Sequence, residues 1–334
     1  MLALKYQLTP LYMRSAFVIA HGSYSQRPAI TVTVTDQYNH GYGELVVIDY
    51  YGLELQDLCL QLELVAAVIN DLESFHPLAV FERLCTLPIH DFVRSAVDCA
   101  YWDYYGKSVG KSFSEINDIP DSTDLISSFT IGVQDYKTQI LQAQRSDWDF
   151  IKFKCDGQYK DLLMHCESLR QKVAFDFNGS LNCRQYFEFL ESDDCSKLQY
   201  IEQPLPPTIL PVRKKETSVL IIADEAFQGT TDLDEIAQYY DGINIKLLKV
   251  GGLTPALEKI KKARQLGLKV MIGCMTESTV GISAAAVLAP LCDYADLDGA
   301  NLIANDYASG SNVRAGSITI SRQPGLGVEV IKFG

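Results

Sequence analysis

The chain has 334 residues, 47% of them hydrophobic and 21% charged, with 29 basic against 42 acidic side chains and a formal charge of −13. That length suffices for one large α/β domain and a smaller companion. So acidic a chain repels phosphates at long range, and no basic run interleaved with aromatics offsets it, which excludes nucleic acid and anionic membrane as general partners. The opening MLALKYQLTPLYMRSAFVIA alternates polar and apolar residues and lacks the apolar core of a signal peptide. No window approaches the length of a transmembrane helix. The nine cysteines are scattered without a C-x-x-C pair, and read as reduced thiols of a cytoplasmic protein rather than as zinc ligands.

Residues 1–50 predict a meander of strands. Phe17–Ala20 and Ala29–Val34 are the clearest, the second alternating with period two. His21–Pro28 between them reads as a turn-rich loop, and Gly41-Tyr-Gly-Glu44 as a turn leading into Leu45–Ile48. Residues 54–115 carry apolar residues at spacings of three and four, notably in Leu58–Ile69 and Phe92–Tyr104, so helices are expected there.

From about residue 124 the rhythm changes. Eight short apolar runs recur: Ser128–Gly132, Phe150–Cys155, Val173–Asn178, Leu198–Gln203, Leu220–Glu225, Gly242–Lys246, Lys269–Cys274 and Tyr294–Asp298. Each is separated from the next by enough chain for one helix, which implies βαβ units and a parallel sheet. Eight runs at so regular a spacing favour a closed barrel over an open sheet. No G-x-G-x-x-G follows a strand, and Gly325-Leu-Gly327 lacks the third glycine, so a dinucleotide fold has little support. After residue 310, Ser317–Ser321 and Val328–Lys332 read as strands rejoining the first domain.

Charged residues close five consecutive runs in the order base, acid, acid, acid, base: Lys154, Asp176, Glu202, Asp224 and Lys246. In a parallel barrel such strand ends share one face. A single acid there would ordinarily be a solvated loop residue or a helix cap. Three converging acids repel one another unless a cation sits between them, and an oxygen-only donor set suits Mg²⁺. Lys152 and Lys154 are two apart on one strand and so point to the same side. Mutual repulsion and desolvation are expected to lower their pKa values toward a range useful for proton abstraction. On the opposite side Lys246 is the expected second base, with Lys249 a loop residue. A metal flanked by two lysines suits proton transfer next to a carboxylate, through an enediolate that the metal stabilises.

The set Lys152-Phe-Lys154, Asp176-Phe-Asn178, Ile201-Glu-Gln-Pro204, Asp224-Glu225 and Ile245-Lys-Leu-Leu-Lys-Val-Gly-Gly252 closely resembles the muconate-lactonizing subgroup of the enolase superfamily. Ser95–Asp103 with Gly106-Lys107 is similar to that family's capping-domain helix, and Pro324–Gly327 to its C-terminal return. The resemblance implies an α/β fold, a (β/α)₇β modified TIM barrel under an α+β capping domain built from both termini. The corresponding division is residues 1–122 for the cap, 123–315 for the barrel and 316–334 for the return. It further implies Mg²⁺ on Asp176, Glu202 and Asp224, acid/base catalysis by Lys154 and Lys246, and polarisation of the substrate carboxylate by Lys152.

Within the subgroup the chemistry must be argued from the site. Asp296-Leu-Asp298 closes the last run, its two carboxylates on one side of the strand. The pair resembles that of the dipeptide epimerases, where it holds a dipeptide's α-ammonium group; the plainer alternative is an N-cap. Gly273-Cys274-Met275-Thr-Glu-Ser278 is similar to the epimerase loop that lies along the peptide, and Thr130 is a further contact candidate. The expected function is therefore a Mg²⁺-dependent dipeptide epimerase inverting the C-terminal residue's α-carbon by two-base proton transfer. If Arg27 points inward, with His21 as a second cation, an acidic side chain is favoured and muropeptide-derived Ala-Glu becomes a candidate. Arg27 as a solvated turn residue, with another second residue, stays open. So do another enzyme of the subgroup (o-succinylbenzoate synthase, N-acylamino acid racemase or muconate cycloisomerase), a non-catalytic metal-binding barrel, and homo-oligomerisation.

Overall fold

A computed structural model describes residues 2–19, 22–70, 76–122, 124–192, 195, 197–212 and 219–331, with the backbone only for 16–19 and 22. The first five strands are β1 (Ala3–Leu8), β2 (Leu11–Ile19), β3 (Gly22–Arg27), β4 (Ala29–Thr35) and β5 (His40–Val46). β1, β4 and β5 form an antiparallel sheet whose inner face carries Ile30, Val32 and Val34.

Two expectations are corrected here. The segment read as a loop from His21 to Pro28 is largely strand β3, paired with β2 from Leu11 opposite Arg27 to Ile19 opposite Gly22. Its polar sequence shows no alternation because most of its described side chains face solvent. His21 lies outside the described residues. Gly41–Glu44 is no turn either: it lies within β5, and the reversal occurs at Asp36–Asn39, where Asp36 Oδ1 accepts the Tyr38 and Asn39 amides at 2.6 and 2.7 Å. The glycines answer to a helix, since a Cβ on Gly43 would lie 2.0 Å from the Ala96 carbonyl oxygen.

The helices Leu55–Asn70, Pro77–Cys85, Asp91–Val109 and Phe113–Ile116 follow. Asp91–Val109 runs through the centre of the cap. His90 Nδ1 caps its start by accepting the Phe92 amide at 3.1 Å, and Gly110 ends it at φ 67°.

All eight predicted runs are strands of one parallel sheet in sequence order: β6 (Phe129–Ile131), β7 (Phe150–Lys154), β8 (Lys172–Asp176), β9 (Tyr200–Glu202), β10 (Leu220–Ala223), β11 (Gly242–Lys246), β12 (Lys269–Gly273) and β13 (Tyr294–Asp296). Ser127 bridges to Ala295, and the Ser128 amide donates to the Ala295 carbonyl at 2.9 Å, so the first strand meets the last and the barrel closes. The fold is a (β/α)₇β barrel under an α+β cap. Inside it Phe150, Ala174, Tyr200, Ile222 and Met271 form an apolar floor. Two residues along four of those strands, hence on the same side, stand Lys152, Asp176, Glu202 and Asp224. The period of the strand places charge one layer above an apolar plug.

The tail departs from expectation. β14 (Ala308–Ser309) pairs with β17 (Glu329–Val330), and β15 (Asn312–Arg314) with β16 (Ser317–Thr319); neither pair joins the cap sheet. The return is made by a loop instead. Gly325 donates to the Lys111 carbonyl at 2.9 Å and accepts from the Phe113 amide at 2.8 Å, while the Leu326 amide donates to Asp103 Oδ1 at 2.7 Å.

Buried carboxylates of the cap also hold the barrel. Asp98 accepts the Thr254 amide at 2.9 Å and its hydroxyl at 2.7 Å, capping the helix Leu253–Gln265, whose own N-cap is Gly252. Glu44 accepts the Ser278 amide at 2.8 Å and the Ser278 and Tyr307 hydroxyls at 2.5 Å each, at the start of the helix Thr279–Ala286. Orphan amides of two barrel helices are thus satisfied from the other domain. Among the described residues no helix is long and apolar enough to cross a membrane, and no two cysteines are joined by a disulfide.

Candidate active site

The layer above the apolar floor opens under the β2–β3 hairpin into a cavity. Lys152, Lys154, Asp224, Lys246, Asp296 and Asp298 line it from the barrel, and Tyr24, Arg27, Ile48, Tyr50 and Tyr51 from the cap. Register explains the neighbours: Lys154 pairs with Asp176, and Asp176 with Glu202.

Asp176, Glu202 and Asp224 are each held by a lysine. Lys154 Nζ lies 2.5 Å from Asp176 Oδ2, and Lys152 Nζ lies 3.0 Å from Glu202 Oε2 and 3.6 Å from Asp176 while also pairing with Asp296. Across the barrel Lys246 Nζ lies 2.8 Å from Asp224 Oδ2. Asn244 Nδ2 donates to Glu202 Oε1 at 2.7 Å. Asp176, Glu202 and Asp224 are all at most 1% exposed.

The lysine pKa values run opposite to expectation. Burial acts to lower that of Lys152, but Asp296, Glu202 and Asp176 outweigh it and hold the ammonium well above its ordinary value. Lys154 and Lys246 are raised in the same way, chiefly by Asp176 and Asp224 against burial. In a cluster this acidic, attraction to carboxylates exceeds repulsion between lysines. The carboxylates divide: burial and Asp176 push Glu202 up to about 8 and burial and Asp224 push Glu225 up to about 7, whereas Asp224, despite its burial, is held well below its ordinary value by Lys246 and Lys249.

Among the described residues no three donor groups stand close enough as placed to enclose a metal ion, and Asp176, Glu202 and Asp224 are each turned onto a lysine. The donor set nevertheless fits one. Asp176, Glu202, Asp224, Glu225, Asp296 and Asp298 face Lys152, Lys154, Lys246 and Lys249, six carboxyl groups against four lysines, a formal excess of two negative charges that burial and mutual repulsion express as the raised pKa values of Glu202, Glu225 and Asp298. Glu225 Oε2 is buried with no hydrogen-bond partner among the described residues. Oxygen ligands with that excess suit a hard divalent cation.

Asp296 and Asp298 do sit together at the end of β13. Ser128 Oγ donates to Asp296 Oδ1 at 2.6 Å and the Thr130 amide to Asp298 Oδ2 at 2.6 Å, which brings the predicted Thr130 to the pair. Burial and Asp296 push Asp298 up to about 7. Cys274 and Met275 line the cavity as expected. So does Arg27: its guanidinium lies 3.9 Å over the Tyr24 ring, Nη1 donates to the Val47 carbonyl at 3.1 Å, and Nε is buried with no hydrogen-bond partner among the described residues. Tyr24 in turn bonds Thr276 at 2.8 Å, tying the hairpin to the barrel loop.

Lys249 is corrected from a loop residue to a wholly buried one in the short helix Leu247–Val250, with Nζ 2.5 Å from Asp224 Oδ1. Sequence reasoning also missed Asn178, Asn244 and Glu225 as site residues. Asn244 was findable, because it stands two residues before Lys246 and so faces the same side of β11.

The enolase C-terminal domain-like family matches residues 135–332. The chain belongs to that family. Its relatives include the L-Ala-D/L-amino acid epimerase of Flavobacterium johnsoniae, 31% identical over 96% of this chain and 97% of that protein. Among solved structures, an enolase family member from Agrobacterium tumefaciens with homology to dipeptide epimerases, holding sodium and L-Ala-L-Glu, is 28% identical at TM-score 0.86, covering 95% of this chain and 97% of the other. A dipeptide epimerase from Methylococcus capsulatus complexed with Mg and L-Arg-D-Lys is 25% identical at TM-score 0.84, covering 98% and 99%. Like these enolase-superfamily relatives, the chain is an isomerase of the racemase and epimerase kind.

Proposed function

We propose that this enzyme is a Mg²⁺-dependent dipeptide epimerase that inverts the α-carbon of the C-terminal residue. One observation carries the reading: two lysines stand on opposite sides of a carboxylate cluster, and a second carboxylate pair, Asp296 and Asp298, lines the same cavity. Asp176, Glu202 and Asp224 would hold the ion. When bound, Mg²⁺ supplies a Lewis acid that takes up negative charge developing on the substrate carboxylate.

The chain's own residues account for the rest. Asp298, pushed up to about 7 beside Asp296, is relieved by an incoming ammonium, so the pair favours a substrate with a free amino terminus. That anchor sets the C-terminal α-carbon between Lys154 and Lys246. One lysine, as the neutral amine, removes the α-proton, and the resulting enediolate takes a proton from the ammonium of the other on the opposite face. Lys152, in contact with Glu202 and Asp296 one layer above the apolar floor, places a fixed positive charge beside the substrate carboxylate. Arg27, at the cavity wall with Nε unpartnered, favours an acidic second side chain, and Ala-Glu fits that pocket.

The test is NMR of the protein with Mg²⁺ in D₂O against L,L-dipeptides. Loss of the C-terminal α-proton signal with growth of the L,D diastereomer, abolished by EDTA, supports the reading, and preference for glutamate supports the role of Arg27. Exchange with an N-acylamino acid or a succinylbenzoate precursor but with no dipeptide refutes it.

A further inference from the structure

The cluster contains one lysine to which the proposed reaction gives no role. Lys249 does not line the cavity, and its side chain is 0% exposed, so it touches neither solvent nor substrate space. Its Nζ lies 2.5 Å from Asp224 Oδ1 and also 2.5 Å from the backbone carbonyl oxygen of the same residue. An ammonium bridging a carboxylate to its own main chain fixes both side-chain torsions of that aspartate. The other oxygen, Oδ2, is the one turned toward Lys246 and the strand-end cluster.

The backbone around Lys249 is itself pinned. Its carbonyl accepts the Gly229 amide at 2.9 Å, and Gly251 and Gly252 follow at φ 94° and 121°, a path that L side chains rarely take. Burying an ammonium is costly unless its donors are satisfied. That the fold buries one behind a cavity-lining carboxylate, with two of its three donors spent on a single residue, indicates that Asp224 must be held still.

We propose that Lys249 is a positioning residue for the metal site: it locks Asp224 Oδ1 so that Oδ2 alone is presented to the ion. The inference rests on the reading of Asp176, Glu202 and Asp224 as ion ligands. It also makes a directional claim. Simple electrostatics says that removing a nearby positive charge tightens cation binding; positioning says that it weakens it.

The experiment is calorimetric titration of Mg²⁺ into the wild type, Lys249→Met and Lys249→Arg, together with α-proton exchange at increasing Mg²⁺. The expected result is a 10- to 100-fold weaker affinity for Lys249→Met, the range common for groups that orient metal ligands. The Mg²⁺ needed for half-maximal exchange rises in parallel, while kcat at saturating Mg²⁺ stays within about twofold, a split that general destabilisation does not produce. Lys249→Arg, which keeps the charge but cannot reproduce both contacts from one nitrogen, should bind at an intermediate strength; should Lys249→Met not fold, this variant decides alone. Unchanged or tighter binding by the folded variants overturns the proposal while leaving the metal site standing. No binding by the wild type overturns both.

Discussion

Asp98 offers a direct measurement of what holds cap to barrel. Burial lifts its carboxyl from 3.8 to about 7 even though Thr254 and Leu253 donate to it. A folded-state pKa above the unfolded one means that the native protein binds the extra proton. The associated stability is therefore complete below about pH 4 and is lost as pH rises through about 7. At 1.36 kcal/mol per pH unit the whole span amounts to about 4 kcal/mol. Asp98→Asn keeps an oxygen for the helix amides and an NH₂ for the Thr254 hydroxyl, but has no proton to lose. Urea unfolding of both proteins between about pH 4.5 and 6.5 should show the stability of the variant relative to wild type rising by about 1.4 kcal/mol per pH unit. All other titrating groups cancel in that difference. Parallel curves would show that Asp98 ionises freely in the folded protein, and the argument from burial would fail.

Other outcomes follow from the same structure. Lys154→Ala and Lys246→Ala should each abolish epimerisation yet leave exchange of the α-proton from one epimer only, a different one in each variant; loss of exchange from both epimers in both variants would contradict separate faces. Gly43→Ala should cost about 1–3 kcal/mol, because the new methyl meets a helix carbonyl that cannot move cheaply, and an unchanged Tm by calorimetry would refute the close contact. Mg²⁺ at about a hundred times its Kd should stabilise the wild type by about 2.7 kcal/mol, read as a rise in Tm that EDTA reverses. Absence of any shift would count against the ion site.

The barrel was legible because its strands are short apolar runs, most with a charged residue at or just past the end, and parallel order follows from the spacing. Lys154, Asp176, Glu202, Asp224 and Lys246 were found since strand ends in such a sheet converge whatever the loops do. Strand β3 was not, because Gly-Ser-Tyr-Ser-Gln-Arg draws its regularity from the backbone of β2 and buries little. The glycines of β5 resembled a turn because their cause, the helix Asp91–Val109, lies some fifty residues away. Lys249 lies one turn beyond a strand end, where spacing alone does not tell an inward from an outward side chain. The lysine pKa values were misjudged because pairwise spacing identified the neighbouring lysine but not the number of carboxylates around each ammonium.

The loop at Pro324–Gly327 bears on how the protein is made. Asp103 and its Leu326 partner are 223 residues apart, with the barrel between them in sequence. A ribosome delivers the helix Asp91–Val109 long before it delivers the amide that Asp103 accepts. Throughout that interval the nascent cap must carry a carboxylate destined for burial with its last partner still unmade. Completion of the cap therefore waits for synthesis of the barrel that separates its two parts in sequence.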